Sequence, residues 1–397
     1  MGRKKMKEKR STIILALVLA AASAIVVPTG FAAESNQGDV DMLSYVYSFE
    51  QPSFSPVYIC GEEFTRVSID GCPFYGNANE PRLPVKPLRF LLPQETTVDE
   101  IIVETSEPQT FEMGGLAPIE LGTAAYRLDQ APPVDPPTPD YDQNSLYPGR
   151  LCDVVGVQYF RGFPILHVNL RPVQYLGSTH TITYYSEMKI TIKTKPAPLN
   201  PLYRGLPEDK EAVLYKVDNA ADIAVTSTYK TTEGDTKGSF GWYEYVIITT
   251  EDFADYQGAW DFNDLVHYRQ SQGLTAGIKT VESIYSEYSG EDNQAKMRNY
   301  IKDAYQHGLT WVLLGGDVEY VPFRYLYAFD GEGNIMSDLY YQCLDGNYNY
   351  DGDNYYGEKY DGVGGGWIDL YAEVWIGRAP VDCGEQIENF VRKTIGY

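Results

Sequence analysis

Tyr245-Val-Ile-Ile-Thr249, followed after a polar stretch by the periodic run 261–272, decides the fold. A short, almost uninterrupted apolar run fits a strand buried on both faces, as a parallel sheet requires. In 261–272 the residues Phe262, Leu265, Val266 and Tyr268 recur at helical spacing, and Gly273 follows as a C-cap. Working outward, 275–281 reads as a second strand. Residues 292–307 read as a second helix with Met297, Tyr300, Ile301 and Tyr305 on one face, closed by Gly308. Trp311-Val-Leu-Leu314 is a third buried strand, 370–376 a further strand and 384–397 a further helix. Strand and helix in alternation predict a parallel α/β sheet with right-handed crossovers. The last residue falls inside the final helix with no cap, so the α/β domain is expected to be truncated.

The upstream sequence has a different character. Period-two alternation in 101–104, 165–170 and 188–193, punctuated by Pro and Gly, predicts an all-β sandwich over 33–195. Tyr, with 34 copies, suits half-buried strand surfaces. The stretch 131–140 carries five prolines and cannot lie inside a sheet, because proline has no N–H for the ladder. Residues 196–240, rich in Pro and then in Thr, Ser, Gly and Asp, read as an exposed linker between 33–195 and 241–397. Arg204, Lys230 and Lys237 are candidate processing sites in it.

Residues 1–32 have the layout of a secretory signal peptide: six basic residues within the first ten, the apolar run Ile13 to Val27, and small residues at Gly30, Ala32 and Ala33. The apolar run is shorter than the ~20 residues that span a bilayer, so the chain is expected to be secreted or held at the cell surface, with no stable membrane span after cleavage. The net charge of −23 becomes more negative without this basic segment. Such a surface repels nucleic acid and favours divalent cations. The five cysteines (60, 72, 152, 343 and 383) include no C-x-x-C, which argues against a zinc knuckle or a thioredoxin-type motif; whether Cys60 and Cys72 pair is open.

The most specific local pattern runs from Asn347 to Glu358. Asn347, Asn349, Asp351, Gly352, Asp353 and Glu358 follow the calcium-loop template D-x-[DN]-x-[DN]-G-x5-E, with Asn in place of the first Asp. Alternate oxygens can converge on a hard cation, and Gly352 permits the sharp turn. Asp345 and Asp361 flank the loop and add charge. A second acidic set is Asp317, Asp369 and Glu373. Asp317 follows a buried strand at the sheet edge where α/β ligand sites form, although Asp after Gly-Gly also caps turns. Nucleophile patterns are weak. None of the four histidines stands in a Gly-rich strand end, and there is no G-x-S-x-G, H-E-x-x-H or phosphate loop.

Several segments together resemble the gingipain-like cysteine peptidases: Trp311-Val-Leu-Leu-Gly-Gly-Asp-Val-Glu-Tyr-Val-Pro322, Asp369-Leu-Tyr-Ala-Glu-Val-Trp-Ile-Gly-Arg-Ala-Pro380, and the entry strand 243–250 with Leu265 to Gly273. Glu80-Pro-Arg-Leu-Pro84, Leu91-Leu-Pro93 and Arg171-Pro-Val-Gln-Tyr175 resemble that family's inhibitory propeptide. The resemblance implies a caspase-like α/β catalytic domain with a β-sandwich propeptide packed on it, acting on protein or peptide substrates through a Cys/His dyad. In the family the dyad follows the "I-G-R" block by many tens of residues, so it is expected beyond residue 397 and this chain is expected to be inactive alone. The resemblance also implies structural calcium, held by Asp317, Asp369, the Tyr371 carbonyl and Glu373, with the 347–358 loop carrying its own ion. The competing reading is a non-enzymatic secreted calcium-binding surface protein on the same scaffold.

Overall fold

Tyr245–Thr249 is buried at every position. In the computed structural model, which describes residues 41–124, 131, 134–231, 242–327 and 334–396, this strand lies inside a four-stranded parallel sheet. The order is Ala276–Thr280, Tyr245–Thr249, Trp311–Gly315, Trp375–Ala379. Ile247 stands opposite Ile278 on one side and Leu313 on the other. Because successive strand side chains point to opposite faces, each strand feeds two cores. Val246, Ile248, Val312 and Leu314 meet Ile284, Met297, Ile301 and Tyr305 on one face. Tyr245, Ile247 and Leu313 meet Phe262, Leu265, Ile387 and Val391 on the other. The result is a sheet layered between helices.

The helix boundaries follow local chemistry. Asp261 accepts from the backbone N–H groups of Asn263 and Asp264, and Asp264 returns a bond to the Asp261 N–H, a capping box for the helix Phe262–Ser271. Gly273 follows at φ +92°. The Asp292 side chain caps Asn293–Gln306 through Ala295 N–H and also pairs with Arg324 at 2.7 Å. Each such cap is worth about 1 kcal/mol.

One boundary departs from expectation. The last strand is Trp375–Ala379, not 370–376, and residues 369–373 are irregular. A strand covered on both faces cannot carry two unpaired carboxylates, so the chain enters the sheet only after Glu373. Cys343 follows a short helix, Leu339–Gln342. The helix Gly384–Gly396 forms as expected, with Tyr397 outside the described residues.

The N-terminal part is all-β and divided among small antiparallel sheets. Met42–Ser48, Glu187–Pro196 and Thr96–Thr105 form one; Cys152–Phe160, Phe163–Leu170 and Lys86–Leu91 form another. They share one core that includes Tyr45, Phe90, Ile165, Val168, Ile190 and Ile192, with the Tyr45 and Phe90 rings stacked at 4.8 Å. A further sheet, built on Val173–Leu176 and Thr181–Tyr184, closes a second core around Val67, Leu83 and Ile182. The described part of the proline stretch is strand-free and mostly exposed.

The segment read as a linker is folded as far as residue 231. It holds the helices Pro207–Leu214 and Ile223–Thr226, and Val213, Val225 and Tyr229 enter the N-terminal core. Asn219 acts as a substitute strand edge: its amide accepts from Leu91 N–H at 2.8 Å and donates to Leu91 C=O at 2.9 Å. Apolar residues spaced one per turn among polar ones carry little compositional signal, which is why the stretch reads as a tether. The Arg204 side chain is only 8% exposed, packed against Asp209 and the Tyr305 ring, which leaves little of it for a processing protease to grasp. Lys230 is exposed, and Lys237 lies outside the described residues. The signal-like segment 1–32 also lies outside them. Among the described residues no helix is long and apolar enough to cross a membrane.

Candidate metal centre

The short helix Leu339–Gln342 ends at Cys343, and the chain then turns back across the helix Asn293–Gln306. Arg298 of that helix, buried on the same stripe as Ile301 and Tyr305, fixes the turn. Its guanidinium donates to the carbonyls of Tyr340 (2.7 Å), Cys343 (2.6 Å), Asp345 (3.0 Å) and Gly346 (2.8 Å). Lys302 adds a bond to Gly346 C=O at 3.2 Å. Tyr348 reaches across to Asp369 C=O at 2.6 Å, and Glu373 N–H donates to Gln342 C=O. Two segments far apart in sequence are thereby pinned side by side.

The result is a buried triad of carboxylates. Oxygens of Asp345, Asp369 and Glu373 lie within 4.8 Å of one another, and the residues are 5%, 3% and 2% exposed. Glu373 accepts from Leu344 N–H at 2.7 Å and from Arg161 N–H at 3.2 Å. Asp345 Oδ1 accepts from the Asn200 amide at 2.6 Å, and Asp369 Oδ1 from Tyr371 N–H at 3.0 Å. Asp345 Oδ2 and Asp369 Oδ2 are buried with no hydrogen-bond partner.

Such a triad is not stable as three bare anions. Two like charges at this separation repel by about 3–4 kcal/mol even at an effective dielectric of 20. Burial, then the charges of Asp345 and Glu373, holds the Asp369 carboxyl well above the usual range. Burial also raises Asp345, and it pushes Glu373 up to about 8, with the charge of Asp345 adding. The Lys302 charge acts on Asp345 but is weak compensation, since burial and the Arg298 charge lower Lys302 to about 7. The triad must therefore hold protons or a cation. An all-oxygen donor set with two unpartnered oxygens suits a hard divalent ion.

The site differs from its sequence expectation in one member. Asp369 and Glu373 come together as expected, but their third partner is Asp345, which reads in the sequence as a flank of the neighbouring loop. Asp317 is outside the triad and holds its own turn, accepting from Val318 N–H at 2.8 Å through its carboxylate and from Tyr320 and Val321 N–H through its carbonyl. Tyr371 lies in the turn between Asp369 and Glu373, with its ring 5.4 Å from Phe160 and its hydroxyl 3.1 Å from His167 Nε2. Arg298 had one sequence signal, a charge on an otherwise apolar helical stripe.

The 347–358 loop forms a second, exposed cluster in which Asp351, Asp353 and Glu358 approach within 4.8 Å. Gly352 turns at φ +75°. Asn347 Oδ1 accepts from Asn349 N–H, and the Asn349 amide donates to Asp353 C=O. The Asn349 Oδ1 atom is buried without a partner. Asp361, expected only to add charge, organises the loop by accepting from Tyr350 and Glu358 N–H. Partial desolvation, then the charges of Asp353, Asp361 and Asp351, raises the Glu358 carboxyl.

No disulfide joins Cys60 and Cys72. Burial raises the thiols of Cys72 and Cys152 to about 11 and that of Cys343 further. His167 and His180 face the hydroxyls of Tyr371 and Tyr175, and His307 faces the Asp303 carbonyl.

Two family models match the chain. The Propeptide_C25 family matches residues 31–232 and Peptidase family C25 matches residues 241–397. Gingipain R2 of Porphyromonas gingivalis is 24% identical over 338 residues, covering 81% of this chain and 39% of its own length. Gingipain R1 of the same species is 23% identical over 266 residues, covering 65% and 22%. The chain thus spans well under half the length of these relatives. Among solved structures, the complex of P. gingivalis RgpB pro- and mature domains is 16% identical with a TM-score of 0.34, covering 41% of this chain and 83% of that one. A structure describing zymogenic latency of gingipain K from P. gingivalis is 19% identical with a TM-score of 0.36, covering 41% and 91%. The chain belongs to the C25 (gingipain) family of cysteine peptidases, with a C25 propeptide preceding sequence of the C25 peptidase domain.

Proposed function

We propose that this chain is part of a secreted, calcium-stabilised cysteine endopeptidase precursor acting on protein substrates, and that the family's Cys/His dyad is not among residues 1–397. Family membership supports the reaction class. The calcium assignment is carried by one observation, the buried triad with two unpartnered carboxylate oxygens. In this reading Asp345, Asp369 and Glu373 hold the ion with the Tyr371 carbonyl adjoining. The loop residues Asn347, Asn349, Asp351, Asp353 and Glu358 take a second, weaker one. The ion supplies charge neutralisation that lets the 340–346 and 369–373 segments lie together. The basic and apolar layout of residues 1–32 supports export.

The dyad is placed elsewhere because thiolate is the attacking species. Cys72, Cys152 and Cys343 are held as thiols by burial, and three of the four histidine rings are engaged by tyrosines or a carbonyl. The same observation supports a second reading, a calcium-binding scaffold without catalysis. Two assays test these proposals. Calcium is expected to raise the melting temperature of the purified chain, and an unchanged melt in excess chelator removes the metal assignment. Casein and short basic peptides are expected to remain intact; thiol-sensitive hydrolysis by this chain would overturn the placement of the dyad.

A further inference from the structure

The cation site reads as a property of the peptidase part, yet part of its wall is propeptide. Asn200 donates to Asp345 Oδ1 at 2.6 Å, and the Arg161 N–H donates to Glu373 Oε1 at 3.2 Å. Gln158 donates to the carbonyl of Ile368, next to Asp369, at 2.9 Å. Tyr371 meets Phe160 and His167. Each member of the triad, or its chain neighbour, is therefore touched from residues 158–200. Among the described residues of the peptidase part, the hydrogen-bond donors to the triad are the N–H groups of Leu344 and Tyr371.

We propose that the propeptide is the outer wall of the cation site, so that cation binding and propeptide docking are thermodynamically linked and the ion acts as a latch on the zymogen. This rests on the reading that the triad holds a cation. Without the ion, docking must bury three clustered carboxyls that either repel one another or first take up protons. With it, most of that charge is cancelled before the wall closes, and docking becomes more favourable. Linkage is reciprocal: whatever factor calcium adds to docking, docking adds to calcium affinity. Asn200 is a positioning residue in this scheme, since it holds Asp345 Oδ1 and leaves Oδ2 for the ion. The contact between Gln306 and the Pro201 carbonyl, at 2.8 Å, joins the same two parts through groups outside the triad and serves as a control.

The test uses the full chain with a specific protease recognition sequence placed within 232–240. After cleavage, the dissociation constant of the two non-covalent pieces is measured in millimolar calcium chloride and in chelator. Calcium is expected to tighten the pair by tenfold or more. Asp369→Asn should abolish the difference, Gln306→Ala should weaken the pair equally in both conditions, and Asp351→Asn, in the exposed loop, should leave the tightening in place. As a measurement independent of cleavage, Asn200→Ala in the intact chain should lower calcium affinity several-fold by calorimetry with an unchanged circular dichroism spectrum. If the intact chain binds calcium but the pieces separate equally in calcium and chelator, or Asn200→Ala binds like the parent, the latch is overturned and the cation reading stands. If the intact chain binds no calcium, both fall.

Discussion

Arg298 grips Asp345 by its backbone carbonyl, at 3.0 Å, and leaves the carboxylate to Asn200 and an open position. The Arg298 charge also favours the ionised forms of Asp345 and Glu373, but burial outweighs it and both carboxyls stay raised. The triad is left to hold protons or, in the reading proposed above, a cation.

Replacing Arg298 by Met should therefore damage both stability and the metal response. It strips the hydrogen bonds from the carbonyls of Tyr340, Cys343, Asp345 and Gly346. Urea unfolding should show a loss of about 3–5 kcal/mol. The calcium-induced rise in melting temperature should shrink as well. A loss under ~1 kcal/mol would mean that the turn holds without its guanidinium.

Calcium at a hundred-fold excess over its dissociation constant should stabilise the chain by about 2.7 kcal/mol. Asp369→Asn should remove most of that gain. Asp317→Asn should leave it intact, because Asp317 belongs to its own turn and not to the triad. The opposite ranking of the two variants would restore Asp317 as a ligand.

His167 sets an acid limit. Burial, with the Arg89 charge adding, lowers its imidazole to about 4 from the ordinary 6.5. The folded chain keeps the ring neutral where the unfolded chain protonates it. Its contribution is present in full above about pH 6.5 and is lost as the pH falls toward 4. The ring is partly exposed, so the loss should be on the order of 1–2 kcal/mol. His167→Gln should show a smaller drop in urea midpoint than the parent between pH 7 and pH 5. Parallel curves would remove His167 from the acid response.

Thiol labelling should separate the cysteines. Cys383 is exposed and should react with a disulfide reagent within the native state. Cys343 is fully buried with its thiol raised by burial, and should react only on unfolding. Fast native labelling of Cys343 would show that the 340–346 turn opens readily.

The α/β half was legible because its signals are local. The apolar runs 245–249 and 311–314, the stripes of 261–272 and 292–307, and the closing glycines Gly273 and Gly308 each carry their meaning within a few residues. Segment 370–376 misled, since its apolar and aromatic content suits a strand while Asp369 and Glu373 are drawn inward to the triad. The helices of 207–226 were hidden because their few apolar side chains matter only against the β-core they meet.

The amino-acid order alone determined the layered parallel sheet, the β-rich domain before it and the presence of two acidic groups. Periodicity, capping and clustered charge are written in neighbouring residues. Only the tertiary structure decided that Asp345 and not Asp317 joins Asp369 and Glu373, and that Asn200 and Arg161 close the site from the propeptide side. Burial and oxygen-to-oxygen distance depend on segments brought together across the whole fold, and no local pattern encodes which carboxylates lose their water in one another's company.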